Sequence, residues 1–136
     1  MSTFIEKRKS HVVLVISQDH FYQDVLGKGC QVVLRYRTHV AKNFKAAVDI
    51  LKHVVPDVVV LDLDPSRKEA LDFVSETVLE GRSDRCDGIL VIAIAEDGEL
   101  RESALKAGCG ALMTKQPFHI RDLRDLIEGM LQQRES

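Results

Sequence analysis

Four apolar residues and then an acid, Val58-Val59-Val60-Leu61-Asp62, constrain this chain more than any other segment. Pro56 and Asp57 stand just before the run and break the helical spacing that precedes it. A short, β-branched, uninterrupted apolar run bounded by a breaker is the pattern of a strand buried on both faces. Two further runs have the same character, HVVLVIS from His11 to Ser17 and GILVIAIA from Gly88 to Ala95. Strands covered on both faces require helices above and below the sheet. Asp62 falls at a carboxyl end, where ligands and chemistry gather in open parallel α/β sheets.

The segments between these runs supply the helices. About His20 to Leu26 reads as a short helix closed by Gly27 and Gly29, and Gln31 to Arg37 as a second strand near an edge. Phe44, Ala47, Val48, Leu51, Val54 and Val55 keep helical spacing up to Pro56. The third strand is expected over Asp57 to Leu63. Leu71, Val74 and Val78 mark the next helix, with Gly81 as its stop, and the fourth strand is expected over Gly88 to Ala95. Leu100 to Ala107 follows as a helix ending at Gly108, then a brief strand over Gly110 to Thr114. Ile120, Leu123, Ile127, Met130 and Leu131 define a last amphipathic helix. Strict alternation predicts an α/β, flavodoxin-like, doubly wound parallel sheet of five strands in the order 2-1-3-4-5.

The 136 residues make one domain, with its core over about residues 10–132 and no expected effector domain. A net charge of −2 argues against a nucleic-acid surface. The basic run Lys7-Arg8-Lys9 reads as a solvated tail. Cys30, Cys86 and Cys109 fit no disulfide or zinc spacing, which suits a reducing cytoplasm, and Cys30 and Cys109 are expected as small core residues. No stretch has membrane-spanning length and the N-terminus lacks signal-peptide order. His11, His20, His39, His53 and His119 are scattered and show no metal spacing. No glycine-rich phosphate loop follows the first strand.

Element order together with two local motifs, PDVVVLDLDP around Asp62 and ALKAGCGALMTKQPF from Ala104 to Phe118, resembles the receiver domain of bacterial response regulators. The resemblance implies that Asp62 is a phosphoacceptor, charged by a histidine kinase or phosphotransfer protein, and that Lys115 contacts the phosphoryl oxygens. A carboxylate nucleophile, a divalent cation and a lysine point charge are what such a transfer needs. Output would pass through the face formed by the fourth helix, fifth strand and fifth helix to a partner protein, with a second copy of the chain also an admissible partner.

Several positions depart from the family pattern. Its adjacent acid pair after the first strand is replaced by the neutral Ser17 and Gln18. Asp19, one residue on, could join Asp62 and Asp64 in a weakened magnesium site, or could cap the first helix. The switch positions, a hydroxyl and an aromatic in the family, are the aliphatic Ile94 and Leu112. Gln116 separates the lysine from Pro117, and Pro65-Ser66-Arg67 reads as a helix start. Two readings follow: a stand-alone, slowly phosphorylated receiver, and a pseudo-receiver that binds partners without phosphorylation. A small flavodoxin-like enzyme is the weaker third, because no catalytic set appears beyond Asp62 and Lys115.

Overall fold

A computed structural model describes residues 11–79 and 89–135. Five parallel strands form one sheet in the order β2-β1-β3-β4-β5. They are β1 (Val12–Ile16), β2 (Arg37–Ala41), β3 (Val58–Asp62), β4 (Leu90–Ala95) and β5 (Ala111–Thr114). Five helices alternate with them: α1 (His20–Lys28), α2 (Phe44–Leu51), α3 (Arg67–Phe73), α4 (Arg101–Ala107) and α5 (Ile120–Glu135). The chain is therefore the doubly wound α/β layer expected of its alternating pattern. Lys7-Arg8-Lys9, Gly81, Cys86 and Gly88 lie outside the described residues.

Every residue of β3 is buried, so the central run forms as its composition dictates. Alternate side chains feed two cores. Val59 and Leu61 join Leu14, Ile16, Val91 and Ala93 under α2, α3 and α4, where Ala47, Leu51, Ala70, Phe73 and Ala104 pack. Val58 and Val60 join Val13, Val15, Ile92 and Ile94 under α1 and α5, where Leu26, Leu123, Ile127 and Leu131 pack. Burying a side chain of this size is worth about 1.5–3 kcal/mol, so the two layers hold most of the fold's driving force.

The second strand is a correction. Gln31 to Leu34 does not extend; α1 continues into a wider π-helical turn over Gly29–Val33, and β2 begins only at Arg37. The buried stripe explains it. Leu26, Cys30 and Leu34 recur at helical spacing and are buried, whereas Val32 and Val33 point outward at 68% and 58% exposure. Gly27 and Gly29 are not stops. They give room, because a Cβ there would stand 2.8 Å from Val40 Cγ2 and 2.5 Å from Ile120 Cδ1, respectively. The chain then turns through Arg35, whose φ is 65°.

Other boundaries shift less. α2 stops at Leu51 rather than reaching Val55, and α3 starts at Arg67, two residues after Pro65, then widens into a π-helical stretch over Val74–Leu79. Gly108 does end its helix: its φ of 115° suits only glycine, and Cys109 N–H donates back to Ala104 O at 2.9 Å. Cys30 and Cys109 are buried, and burial pushes their thiols up to about 12 and about 11, so neither is a thiolate near neutral pH.

Candidate functional site

The carboxyl ends of β1, β3, β4 and β5 lie side by side, and the residues at or just past them converge on one acidic centre. Asp62 is the last residue of β3, Ser17 follows β1, and Lys115 follows β5, held by a 2.7 Å bond from its N–H to Ala95 O. Lys115 Nζ lies 2.9 Å from Asp62 Oδ1, with the two side chains 4% and 0% exposed. The pairing expected from sequence is therefore present at the rim of the sheet.

The centre is larger than that pair. Ser17 Oγ donates to Asp62 Oδ2 at 2.8 Å and accepts from Asp19 N–H at 3.1 Å. Asp64 N–H donates to Asp62 Oδ1 at 3.1 Å. The Asp64 side chain turns inward, its Oδ2 lying 3.3 Å from Lys115 Nζ and accepting from Glu96 N–H at 2.9 Å. Its Oδ1 accepts from Arg67 Nε at 2.7 Å, and Arg67 Nη2 lies 3.4 Å from Asp97 Oδ2. The Tyr22 ring lies against the lysine, with Lys115 Nζ 4.2 Å from its centroid. Phe21 stacks edge-on against that ring at 5.1 Å.

These contacts set the charge states. Burial pushes the Lys115 ammonium toward lower pKa, but the hydrogen bond and charge of Asp62, with Asp64 behind it, outweigh burial and hold its pKa above the ordinary value. Burial pushes Asp64 up, but the bonds from Arg67 and Glu96 and the charge of Lys115 outweigh it and hold the carboxyl below its ordinary value. Lys115 and Asp64 are thus both charged around neutral pH.

Magnesium takes oxygen ligands, commonly one or two carboxylates plus water. The residues present do not fit it. Both oxygens of Asp62 and both of Asp64 already accept from protein donors, and the two negative charges meet two positive ones in Lys115 and Arg67. Asp19 is a helix cap: its Oδ1 accepts from Phe21 N–H at 2.8 Å and Tyr22 N–H at 3.3 Å. Among the described residues no group of three His, Cys, Asp or Glu side chains could hold a metal ion, so Asp19, Asp62 and Asp64 do not assemble as the expected triad. Ser17 is buried in the centre, whereas neighbouring Gln18 is half-buried.

Both aliphatic switch positions are packed against the sheet. Ile94 is fully buried in the α1–α5 layer and Leu112, 5% exposed, is in the opposite layer. The β4–β5 register pairs Ile94 with Met113 and Leu112 with Ala93, so the two positions do not face one another. The Gln116–Pro117 peptide is cis despite the inserted glutamine. Sequence reading missed Arg67 as a site residue and missed Tyr22 altogether. The three-residue spacing from Asp64 to Arg67 at a helix start was the available signal for the first. Nothing local distinguishes Tyr22 from any half-buried aromatic.

No family model and no curated protein matches the sequence. Solved structures match over most of the chain. A response regulator from Thermotoga maritima is 18% identical at a TM-score of 0.75, over 90% of this chain and 98% of that one. A chemotaxis protein from Vibrio cholerae is 14% identical at 0.76, over 88% and 98%. A response regulator receiver modulated diguanylate cyclase from Pelobacter carbinolicus is 25% identical at 0.71, over 92% and 95%. The fold is that of response regulator receiver domains.

Proposed function

We propose that this chain is a receiver-type signalling module that acts by binding a partner protein and does so without phosphorylation. The observation that carries the reading is the closed acidic centre: Asp62 is buried, both its oxygens are engaged, and Lys115 and Arg67 neutralise it and Asp64. A nucleophile needs an exposed lone pair and in-line approach. Here Lys115 sits 2.9 Å from the carboxylate with the Tyr22 ring against its ammonium, and Ile94 and Leu112 give no hydroxyl or ring to read out a phosphoryl group. The partner face is α4, β5 and α5. Arg101 Nη1 donates to Leu112 O at 3.1 Å and ties α4 to the sheet's outer strand, and Leu105 on α4 is 49% exposed. Under this reading the chain turns over no substrate. Among the described residues no helix is long and apolar enough to cross a membrane.

The phosphoacceptor reading is the second, and one observation favours it: Asp62 and Lys115 meet at 2.9 Å at the carboxyl rim of the sheet. Under it a histidine kinase or phosphotransfer protein is the donor. Incubation with acetyl phosphate and magnesium, followed by intact-mass measurement, separates the two. The proposed function expects no phosphoryl adduct. An adduct that Asp62→Asn abolishes establishes the second reading instead.

A further inference from the structure

We infer that the Asp64 side chain is the tie that holds the loop after β4, and with it the start of α4, in one position against the rim. Leu63 N–H donates to Ile94 O at 2.8 Å, which carries the backbone pairing of β3 and β4 one residue past the end of β3. Beyond that point the link between the two segments is a side chain. Asp64 Oδ2 accepts from Glu96 N–H at 2.9 Å and lies 3.3 Å from Lys115 Nζ. Asp64 Oδ1 accepts from Arg67 Nε at 2.7 Å. One carboxylate thus joins the segments that follow β3, β4 and β5 to the first residue of α3. Hydrogen bonds to an ionised acceptor are the strong ones, and at 16% exposure the Asp64 side chain meets little competing water.

The loop itself buries little: Glu96, Gly98 and Glu99 are all exposed. Its second hold is at one remove from Asp64. Arg67 Nη2 lies 3.4 Å from Asp97 Oδ2, Asp97 Oδ1 accepts from Glu99 N–H at 3.0 Å, and Arg101 N–H donates to Gly98 O at 3.1 Å where α4 begins. Farther along, α4 is fixed by buried Ala104 and by the Arg101 bond to Leu112 O. The loop is therefore fastened at its far end by packing and at its near end by Asp64, directly through Glu96 and indirectly through Arg67. The side-chain contacts of Asp62 go to Ser17, Asp64 and Lys115 instead. Because the tie is a carboxylate resident in the chain, the near end of the partner face is held with nothing attached to Asp62.

The inference rests on the proposed partner face only for what the loop is held for. Its test uses neither a partner nor a phosphodonor, so its failure is distinct from the appearance of a phosphoryl adduct. Amide hydrogen exchange is read residue by residue, by nuclear magnetic resonance, in the wild-type chain, Asp64→Ala and Asp62→Asn. In the wild type the Glu96 amide is expected to exchange at least about tenfold more slowly than in an unstructured peptide, the factor that one hydrogen bond to a charged group implies. Asp64→Ala is expected to speed exchange at Glu96 and Glu99 by at least about tenfold and to leave Val13 and Val59 within about twofold. Asp62→Asn is expected to leave Glu96 and Glu99 as in the wild type. A wild-type Glu96 amide that exchanges at the unstructured rate overturns the inference, and that measurement needs no variant to fold. It is overturned equally by an Asp64→Ala rise spread evenly over β1 and β3, by a rise confined to Glu96, by no rise at all, or by the same loosening in Asp62→Asn.

Discussion

Lys115 Nζ sits 2.9 Å from Asp62 Oδ1, and neither side chain has appreciable contact with solvent. An ion pair this dry is weak evidence of net stabilisation, because desolvating both charges offsets most of the attraction. It is strong evidence of mutual dependence. Each group is tolerable in the rim only while the other is there.

Lys115→Met should therefore destabilise the chain by about 3–5 kcal/mol, because it strands the Asp62 charge. Adding Asp62→Asn to it should recover a large part of the loss. Urea denaturation of the two singles and the double measures the coupling; additive losses would show that the pair is not a unit.

Ser17→Ala should cost about 1.5–3 kcal/mol, the worth of a hydrogen bond to a charged acceptor, since the hydroxyl donates to Asp62 at 2.8 Å. Thermal or urea melts check it. A loss within a few tenths of a kcal/mol would mean that Asp62 Oδ2 finds another donor.

Stability should fall at both ends of the pH range, for different residues. Lys115 has a folded pKa above its unfolded value of about 10.4, so its contribution is complete below that pH and is lost as pH rises through the folded value. Asp64 has a folded pKa below its unfolded value of about 3.9, so its contribution is complete above that pH and is lost as pH falls through the folded value. Arg67→Gln should shrink the acid-side loss and leave the alkaline side in place, read by denaturant midpoints across pH.

Tyr22→Ala should cost about 0.5–2 kcal/mol, from a cation–π contact that is partly desolvated. It should also raise the exposure of Lys115, measured as faster amine labelling by a small acylating reagent. Unchanged labelling would mean that the ring does not shield the ammonium.

The sheet was legible in the sequence because its strands are buried on both faces, so Val12–Ile16, Val58–Asp62 and Leu90–Ala95 read as uninterrupted apolar runs. The convergence of Asp62 and Lys115 was legible for the same reason: each ends a strand, and parallel strands end on one edge. The end of α1 was not legible. Gln31-Val32-Val33 carries strand-like residues, and the deciding helical stripe of Leu26, Cys30 and Leu34 is visible only once Val32 and Val33 are known to face outward. The role of Arg67 was hidden because its partners come from two loops, and the Asp97 contact spans thirty positions. The opposed placement of Ile94 and Leu112 depends on the β4–β5 register, which one chain's pattern leaves free by a residue.

Ile94 and Leu112 press on different sides of the same sheet, and both are packed without slack. Neither side chain has a hydroxyl or a ring that could carry a disturbance from the rim to the outer strand. If the chain acts without phosphorylation, as proposed above, the surface offered by α4 and β5 keeps one shape, and what it tells a binding protein is how much of the chain is there. Regulation on those terms belongs to synthesis and turnover.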